Sequence, residues 1–466
     1  MSQPVSLTKP PLLDPGFLPA VAWHRHYRNL LSTTPGSHDL HLALSRPDGT
    51  TFHHQLRVLP HQGDFIALNR TAVERTLKFL LWSRGGSRIH LAGDDTIAAM
   101  LAALYGQSAD IPRAFDRDTI GTGMFGEPLQ ILPCSLDALP PENGSTTALG
   151  RHLDGCRIGF DLGGSDRKAA ALIDGEVVFS EEIPWDPYFQ TDPQYHLDGI
   201  RNTLTRAAAH LPRVDAIGGS AAGIYINNEV RVASLFRGIT DRALYDAEVR
   251  PIFLHLRKEW NNIPFEIIND GEVTALAGSM SMNANAVLGI SMGTSLAAGY
   301  CDRHGHITPW LNELAFVPID YREDAPVDEW SHDIGCGVQY FSQQGVARLA
   351  KPAGFDFGDL PFAEQLVEVQ NAMKEGDPRA HRIYETIGTC FGYAIAHYTE
   401  FYHIENLLIL GRVTSGPGGD LILAQAGNIL RSEFPDLADQ ITLSTPDEQM
   451  KRHGQAVAAA SLPVLP

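Results

Sequence analysis

The chain has 466 residues, which is more than a single hydrophobic core usually accommodates, so two or three packed units are expected. Hydrophobic residues make up 44% and charged residues 20%, as in folded globular proteins. A formal net charge of -19 without any basic run argues against binding to nucleic acid or to an anionic membrane. The five cysteines are scattered, never spaced as CxxC, and favour a reducing compartment. Since no signal-peptide pattern or membrane-spanning apolar run occurs, we expect a cytoplasmic protein.

The first 150 residues predict an accessory α+β domain that ends in a linker. A hairpin is expected about Asp48, followed by a helix near Asn69 to Trp82, a strand RIHLAG and a helix near Asp95 to Tyr105. This order of two strands, helix, strand and helix resembles the start of the next unit. A decayed internal repeat is therefore one interpretation, and the domain is expected to cap a cleft, build an oligomer interface or bind a partner.

After a linker rich in Pro, Gly, Ser and Thr, from Cys134 to Gly155, the sequence alternates strands and helices. Two β/α series in tandem predict an α/β protein whose two lobes face each other across a cleft. We expect residues 156–268 to form the first, smaller lobe, joined by a C-terminal helix at 448–462, and residues 269–447 to form the second. The predicted strands are RIGFDL, KAAALID, EVVFSEEI, VDAIGGSAAG, PFEIIND, VLGISMG, SLAAGYC and NLLILGRV, and the predicted helices span 195–210, 271–282, 361–374 and 378–402, with another after 415–419.

The turn after the strand RIGF is the first of three motifs suited to phosphoryl transfer, which needs a phosphate cradle, a carboxylate for Mg²⁺ and a base at the acceptor hydroxyl. Gly163 and Gly164 lack Cβ, so backbone amides can approach phosphate oxygens. Ser165 adds a hydroxyl donor, and Asp161 is suited to hydrated Mg²⁺. A plain hairpin turn with a solvated Asp is the alternative interpretation.

A second glycine turn, Gly293, Thr294 and Ser295, lies between two apolar strands of the predicted second lobe. Two such turns at equivalent positions of duplicated lobes can hold one triphosphate from both sides. A hairpin turn without a ligand is again the alternative, but the occurrence of both motifs with matching flanking strands favours the phosphate site.

The third motif is Asn269 and Asp270, at the end of the strand PFEII and directly before a helix. Ligands of α/β proteins bind at the carboxyl ends of strands, so a carboxylate here is placed to accept the proton of an attacking hydroxyl. Helix N-capping by Asp270 is the alternative and requires no chemistry.

These motifs together carry a resemblance to the ROK family of sugar kinases, in the actin-like ATPase superfamily. DLGGS, GGSAAG, INDGEVTALAG, GISMGTS and LLILGRV occur in the family's order and approximate spacing, over nearly all of residues 156–466. The resemblance implies a two-lobed, ribonuclease H-like ATPase fold that uses ATP and Mg²⁺. It places Asp270 as the catalytic base. The implied ATP-site residues are Asp161 (also the metal residue), Gly163, Gly164, Ser165, Gly293, Thr294, Ser295 and Gly411, and the implied sugar-site residues are Asn269, Glu313 and Gly223.

The sequence departs from the family where a zinc loop would stand. Phe316 occupies the position of the family's histidine ligand, and Val338 that of its final glutamate, although Cys336 is kept. A structural zinc of the family type is therefore not expected. Loss of these polar groups implies an altered acceptor, such as a cyclitol or another polyol. The family's lysine role does not carry over clearly to Lys168. His332, Asp333 and Cys336 have a metal-like spacing inside the altered loop.

The leading hypothesis is thus an ATP-dependent kinase acting on a hydroxyl of a sugar, aminosugar or cyclitol, with a homodimer left open. A ROK-like protein that binds sugar without turnover, as a regulator or scaffold, is the alternative. Residues 69–105 superficially resemble a DNA-binding helix-turn-helix. However, RIHLAG reads as a strand between the two helices, and Asp94 and Asp95 stand where phosphate contacts need positive charge.

Overall fold

A computed structural model describes residues 7–144, 148–446 and 448–466 of the chain. The helices are α1 Ala20–Thr33, α2 Phe65–Ser83, α3 Asp95–Leu104, α4 Ile111–Asp116, α5 Pro193–Ala208, α6 Arg242–Leu244, α7 Ile252–Glu259, α8 Asp270–Ser281, α9 Gln343–Ala353, α10 Phe362–Lys374, α11 Pro378–Tyr398, α12 Pro417–Glu433, α13 Pro435–Ala438 and α14 Glu448–Ala460. The strands are β1 His38–Ser45, β2 Thr51–Val58, β3 Arg88–Ala92, β4 Gln130–Pro133, β5 Cys156–Leu162, β6 Asp166–Ile173, β7 Glu176–Pro184, β8 Ala216–Ala221, β9 Ile224–Ile226, β10 Glu229–Val232, β11 Phe265–Asn269, β12 Val287–Met292, β13 Leu296–Cys301, β14 Asn406–Leu410 and β15 Thr442–Ser444. The predicted elements are confirmed, except that the predicted helix 378–402 ends one turn early.

A five-stranded sheet of order β11-β8-β5-β6-β7 forms the first lobe. β5, β8 and β11 are parallel, while β6 and β7 continue the sheet as antiparallel strands. The C-terminal helix α14 packs on this sheet. Two glycines allow the approach, because a Cβ on Gly159 would lie 1.8 Å from the Ala456 carbonyl oxygen and one on Gly218 only 1.7 Å from that of Ala459. The last helix of the chain thus contacts the first sheet, where the sequence predicted it.

A four-stranded sheet of order β13-β12-β14-β15 forms the second lobe. The β12–β13 hairpin is antiparallel, and β14 is added parallel to β12. The first lobe contains the same unit, an antiparallel hairpin β5–β6 whose first strand pairs in parallel with β8. The two lobes therefore present equivalent hairpin turns.

The N-terminal sheet has the order β2-β1-β3-β4, and its topology differs from that of both lobes. β1 pairs antiparallel with β3, whereas the corresponding pair β5 and β8 is parallel. The strand directions therefore contradict the interpretation of a decayed internal repeat. β3 separates α2 from α3, and α2 is buried along most of its length, so this segment is no helix-turn-helix.

The hydrophobic core of the N-terminal region continues into the second lobe. Leu77, Leu81 and Trp82 of α2 belong to the same buried cluster as residues of α11 and β14. The rings of Phe79 and Phe401 stack at 3.7 Å between centroids. The placement of a domain boundary near residue 150 stays a prediction, but the two parts share one apolar core. No helix among the described residues is long and apolar enough to span a bilayer.

The loop that departs from the family's zinc motif faces α2. Phe316 packs its ring against Trp82 of α2, with centroids 4.2 Å apart. Asp333 forms buried ion pairs with Lys78 and with Arg75, both at 2.9 Å. Residues 332, 333 and 336 therefore do not form a metal site, because the Asp333 carboxylate instead pairs with two cations of the N-terminal region.

Candidate active site

The carboxyl ends of three neighbouring parallel strands bring the predicted catalytic residues to one edge of the first sheet. Asp161 of β5 pairs in register with Ser220 of β8, and Ala221 of β8 pairs with Asn269 of β11. The Ser220 hydroxyl donates a hydrogen bond of 2.7 Å to Asp161. Burial raises the pKa of Asp161, although this hydrogen bond and the charge of Lys168 oppose the rise.

Asp270 follows directly as the first residue of α8. The N-cap of this helix is Asn269, whose side-chain oxygen accepts from the Gly271 amide at 2.7 Å while its amide donates to the Gly223 carbonyl at 2.7 Å. The N-cap position belongs to Asn269, although the Asp270 carboxylate also accepts from the Gly271 amide, at 3.0 Å. Burial raises the pKa of Asp270 to about 6, and the negative charge of Asp161 adds to the rise.

Glu313 completes a line of three interacting carboxyl groups. Burial raises the pKa of Glu313 to about 7, and Asp270 adds to the rise through its negative charge. Glu313 and Asp270 are both partly exposed. The side chain of Glu313 lines a cavity. A carboxylate with a raised pKa beside other acids is a recurrent feature of catalytic sites, because it can exchange a proton near neutral pH.

A cavity of about 460 Å³ is lined by Glu313, whereas neither Asp161 nor Asp270 is among its lining residues. The predicted sugar-site residues Asn269, Glu313 and Gly223 all line it. Gly223 has φ +135° and a Cβ there would lie 2.5 Å from the Val232 carbonyl oxygen, so only glycine fits. The cavity is also lined by residues that the sequence analysis did not assign to the site, namely Arg46, Asp48, Thr50, Asn143, Tyr225, Asn228, Glu266, Glu272 and Trp310. The turn between β1 and β2 thus supplies one wall of the cavity.

Glu272 is the most buried acid of this cavity. Its carboxyl group accepts hydrogen bonds from the Asn312 side-chain amide and from the Tyr300 backbone amide. Burial raises the pKa of Glu272 to about 8, against the effect of these two donors. Its position two residues after Asp270, on the same first turn of α8, is the sequence signal that could have identified it.

A second cavity, of about 790 Å³, lies between the sheets of the two lobes. Lys168 of β6 lines it from the first lobe, and Gly411 to Gly416, between β14 and α12, line it from the second. Gly411 has φ +100°, and a Cβ on it would lie 2.4 Å from the Met292 carbonyl oxygen. Since Met292 precedes Gly293, the predicted adenosine residue lies directly beside the second glycine turn.

Both predicted phosphate turns are tight hairpin turns. The Gly163 amide donates to the Asp166 carbonyl and the Gly293 amide to the Ser295 carbonyl, each at 2.9 Å. The hydroxyl-bearing residues Ser165, Thr294 and Ser295 are exposed. Neither turn is among the described residues that line the two cavities, so their convergence on one nucleotide stays a prediction.

Comparison with known proteins gives a clear result at the level of structure only. No protein-family model matches the chain, and no curated protein sequence matches it. A ROK family transcriptional regulator, a homolog of the E. coli MLC protein, superposes with a TM-score of 0.51 at 19% identity, over 66% of this chain and 79% of that one. The chain has a ROK-family fold.

Two kinases with the ROK fold are also similar. The ROK hexokinase from Thermus thermophilus gives a TM-score of 0.49 at 17% identity, over 66% of this chain and 97% of that one. The ROK family glucokinase from Streptomyces griseus, solved with glucose and AMPPNP, gives 0.47 at 19% identity, over 66% and 99%. The superposition with the ROK family transcriptional regulator covers about two thirds of this chain.

Proposed function

We propose that the protein is an ATP-dependent kinase that phosphorylates a hydroxyl group of a sugar or sugar-like polyol. The observation that carries the proposal is that Asp161 and Asp270 lie at the carboxyl ends of β5 and β11 with interacting charges, and that Asn269, the neighbour of Asp270, lines a cavity. In-line phosphoryl transfer requires little beyond such positioning, because most of the catalysis is orientation and charge stabilisation.

Asp270 is the proposed general base. An acceptor hydroxyl held by Asn269 and Glu313 in the 460 Å³ cavity would lie next to this carboxylate. A raised pKa makes Asp270 a better proton acceptor than an ordinary aspartate while it remains mostly ionised at neutral pH. Asn269 is the N-cap of α8, and one oxygen of the Asp270 carboxylate also accepts from the Gly271 amide, at 3.0 Å.

ATP is proposed to occupy the 790 Å³ cavity, with its adenosine beside Gly411. The two glycine turns, Gly163 to Ser165 and Gly293 to Ser295, would then bind phosphate oxygens through their amides and hydroxyls. The equivalent position of these turns in the two lobes supports this assignment.

Asp161 is the residue proposed to hold Mg²⁺, directly or through water. The residues present fit the ion, since Asp161 and Asp270 are two interacting carboxylates. Lys168, whose charge also acts on Asp161, forms its ion pair with Asp166, at 3.6 Å. When bound, Mg²⁺ neutralises charge on the transferring phosphoryl group.

The N-terminal hairpin is proposed to select the acceptor. Asp48 and Thr50 of its turn line the acceptor cavity opposite Asn269 and Glu313. We expect Asp48→Ala to raise the KM for the acceptor about tenfold while the KM for ATP stays unchanged. An equal rise in both constants would argue against this role.

The decisive experiment measures ADP release with MgATP over a panel of sugars, aminosugars and cyclitols. The wild type should show acceptor-dependent turnover, and Asp270→Asn should be slower by about 10² to 10⁴. Asp324→Asn, an exposed acid outside the cavities, is the matched control and should behave as the wild type. If wild type and Asp270→Asn are equally inert on every acceptor while calorimetry detects sugar binding, the protein binds sugar without turnover and the kinase proposal is wrong.

The free cysteines fit the reducing conditions of the cytoplasm, which is the proposed location.

A further inference from the structure

A cluster of two histidines and a glutamate lies where α1 meets the end of α11. None of its three residues lines the acceptor cavity. His24 of α1, His397 of α11 and Glu400 each offer one ligand atom, and the three atoms lie within 4.8 Å of one another. Among the described residues, no other group of His, Cys, Asp and Glu side chains converges in this way. The three residues come from two parts of the chain that the sequence analysis assigns to different units, the N-terminal domain and the second lobe.

In the structure, both histidines already contact the same carboxylate oxygen. One oxygen of Glu400 lies 2.6 Å from Nδ1 of His24 and 3.0 Å from Nδ1 of His397. Both imidazoles therefore direct the same ring nitrogen towards one point. Zinc bound by two histidines and a carboxylate has Zn–N and Zn–O distances of about 2.0 to 2.2 Å, so the Glu400 oxygen and the two ring nitrogens must move apart to admit the ion.

Groups around the cluster orient the ligands in the way that metal sites require. The Tyr321 hydroxyl is 3.1 Å from Nε2 of His24, and Arg28 donates to the second oxygen of Glu400 at 2.6 Å. Such outer contacts fix the ring nitrogen that carries the proton and hold the carboxylate in place.

His397 supplies an independent indication. Its Nε2 is buried and has no hydrogen-bond partner among the described residues, although its Nδ1 contacts Glu400. The Pro318 backbone lies beside this ring, and because proline has no N–H its only polar group there is the carbonyl. A metal on Nδ1 places the ring proton on Nε2, where the Pro318 carbonyl can accept it. Binding of the metal thus resolves an otherwise unsatisfied buried nitrogen.

A cavity of about 430 Å³ gives access to the cluster. His24, His54 and Glu400 line it, together with Arg28 and Phe401. Three protein ligands would leave a fourth tetrahedral position for water or a small ligand. The cavity is separate from both cavities of the proposed kinase site, since it shares no lining residue with either.

The geometry points to a zinc site formed by His24, His397 and Glu400, which joins the N-terminal helix α1 to α11 of the second lobe. Imidazole and carboxylate ligands in a three-residue set favour zinc over Mg²⁺ or Ca²⁺, which prefer oxygen ligands alone. The site differs from the zinc loop that the sequence lacks, because none of its ligands lies between residues 313 and 338.

The test titrates EDTA-treated, full-length protein with ZnCl₂ in a calorimeter and repeats the titration with Co²⁺ as an optical probe. The wild type should bind one zinc per chain and give the strong visible absorption of a four-coordinate Co²⁺ site. His24→Gln and Glu400→Gln should each bind zinc about tenfold more weakly or worse. The exposed His403, changed to Gln, is the matched control and should bind as the wild type.

Measuring the thermal unfolding midpoint with and without zinc distinguishes loss of the site from poor folding of a variant. Zinc should raise the unfolding midpoint of the wild type and of His403→Gln, and at the same zinc concentration it should raise that of His24→Gln by clearly less. Absence of stoichiometric zinc in the wild type, or unaltered affinity in both His24→Gln and Glu400→Gln, overturns the inference and leaves the cluster as a hydrogen-bonded contact between α1 and α11.

Discussion

Asp161 and Asp270 stand at the carboxyl ends of β5 and β11, with only β8 between these two strands. The charge of Asp161 raises the pKa of Asp270 to about 6 in combination with burial, which is the larger cause. Two acids with interacting charges can differ in role, one holding a cation and the other a proton. The proposed division of labour between Asp161 and Asp270 follows from this pairing.

The pH dependence of turnover should report the ionisation of Asp270. A general base acts only when deprotonated, so kcat/KM should fall on the acidic side with a limb at a pKa of about 6, and Glu313, whose pKa burial raises to about 7, can add a second inflection above it. The measurement is a pH profile of ADP release with the acceptor that performs best. Circular dichroism at each pH establishes that the fold persists, and Asp270→Asn should give a low rate without the acidic limb. A limb near pH 4 in the wild type would contradict the assignment.

Gly411 should be essential for nucleotide binding. Gly411 and Gly416 both line the 790 Å³ cavity and both have backbone angles that only glycine adopts readily, φ 100° with ψ 172° and φ 74° with ψ -157°. A Cβ on Gly411 would meet the Met292 carbonyl oxygen at 2.4 Å, whereas one on Gly416 would meet nothing within 4 Å. Gly411→Ala should weaken ATP binding by at least about tenfold, and Gly416→Ala by much less.

Calorimetric titration with a non-hydrolysable ATP analogue measures both variants. Because alanine is strained to a similar degree at the two positions, their difference isolates the collision beside the second glycine turn. Equal affinities for Gly411→Ala and Gly416→Ala would show that the nucleotide does not depend on this contact.

The two-lobed core could be predicted because its local signals agree with its packing. Strand ends, glycine turns and helix starts coincide around Asp161, Asn269 and Gly293, so motif order alone indicated the fold. Gly159 and Gly218 look like ordinary strand glycines in the sequence. Their role appears only in three dimensions, where they admit α14 onto the first sheet.

The attachment of the N-terminal region could not be predicted. Glu74, Arg75 and Lys78 lie on α2 in a pattern that normally marks a solvated helix face, yet all three are buried. Their partners include Asp333, which is more than 250 residues away along the chain. Sequence patterns report which residues repeat at helical spacing, and they do not report which distant charge will compensate a buried one.

Lys78→Met should therefore destabilise the protein strongly. Lys78 has no exposed surface and pairs with Asp116 and Asp333 at 2.9 Å each, so its loss leaves two buried carboxylates short of a cation. We expect a cost of about 3 to 5 kcal/mol, measured by guanidinium unfolding. Adding Asp116→Asn to this variant should restore part of the loss, because one unpaired charge is removed.

The exposed pair of Arg201 and Glu259 provides the control for Lys78. Arg201→Met removes a cation of similar length from the surface and should cost less than about 1 kcal/mol. A cost for Lys78→Met no larger than that of the control would mean that the buried network contributes little to the attachment of α2.

Glu272 should make stability decrease as the pH rises. Burial raises its pKa to about 8 in the folded protein, while an ordinary glutamate titrates near 4.5. Between these two pH values the folded state holds a proton that the unfolded chain has released. The free energy of unfolding therefore falls with increasing pH, by at most about 1.4 kcal/mol per pH unit from this group, and the decline ends above pH 8.

Glu272→Gln removes this titration, so the stability difference between wild type and variant should shrink, or reverse in sign, as the pH rises from 5 to 8. Urea unfolding at several pH values measures the difference, and the other acids of the cavity cancel because both proteins contain them. Glu375→Gln, at an exposed position of the chain, serves as the reference for a change without burial. A difference that stays constant from pH 5 to 8 would show that Glu272 is already ionised inside the folded protein, with its charge balanced by Asn312 and the Tyr300 amide.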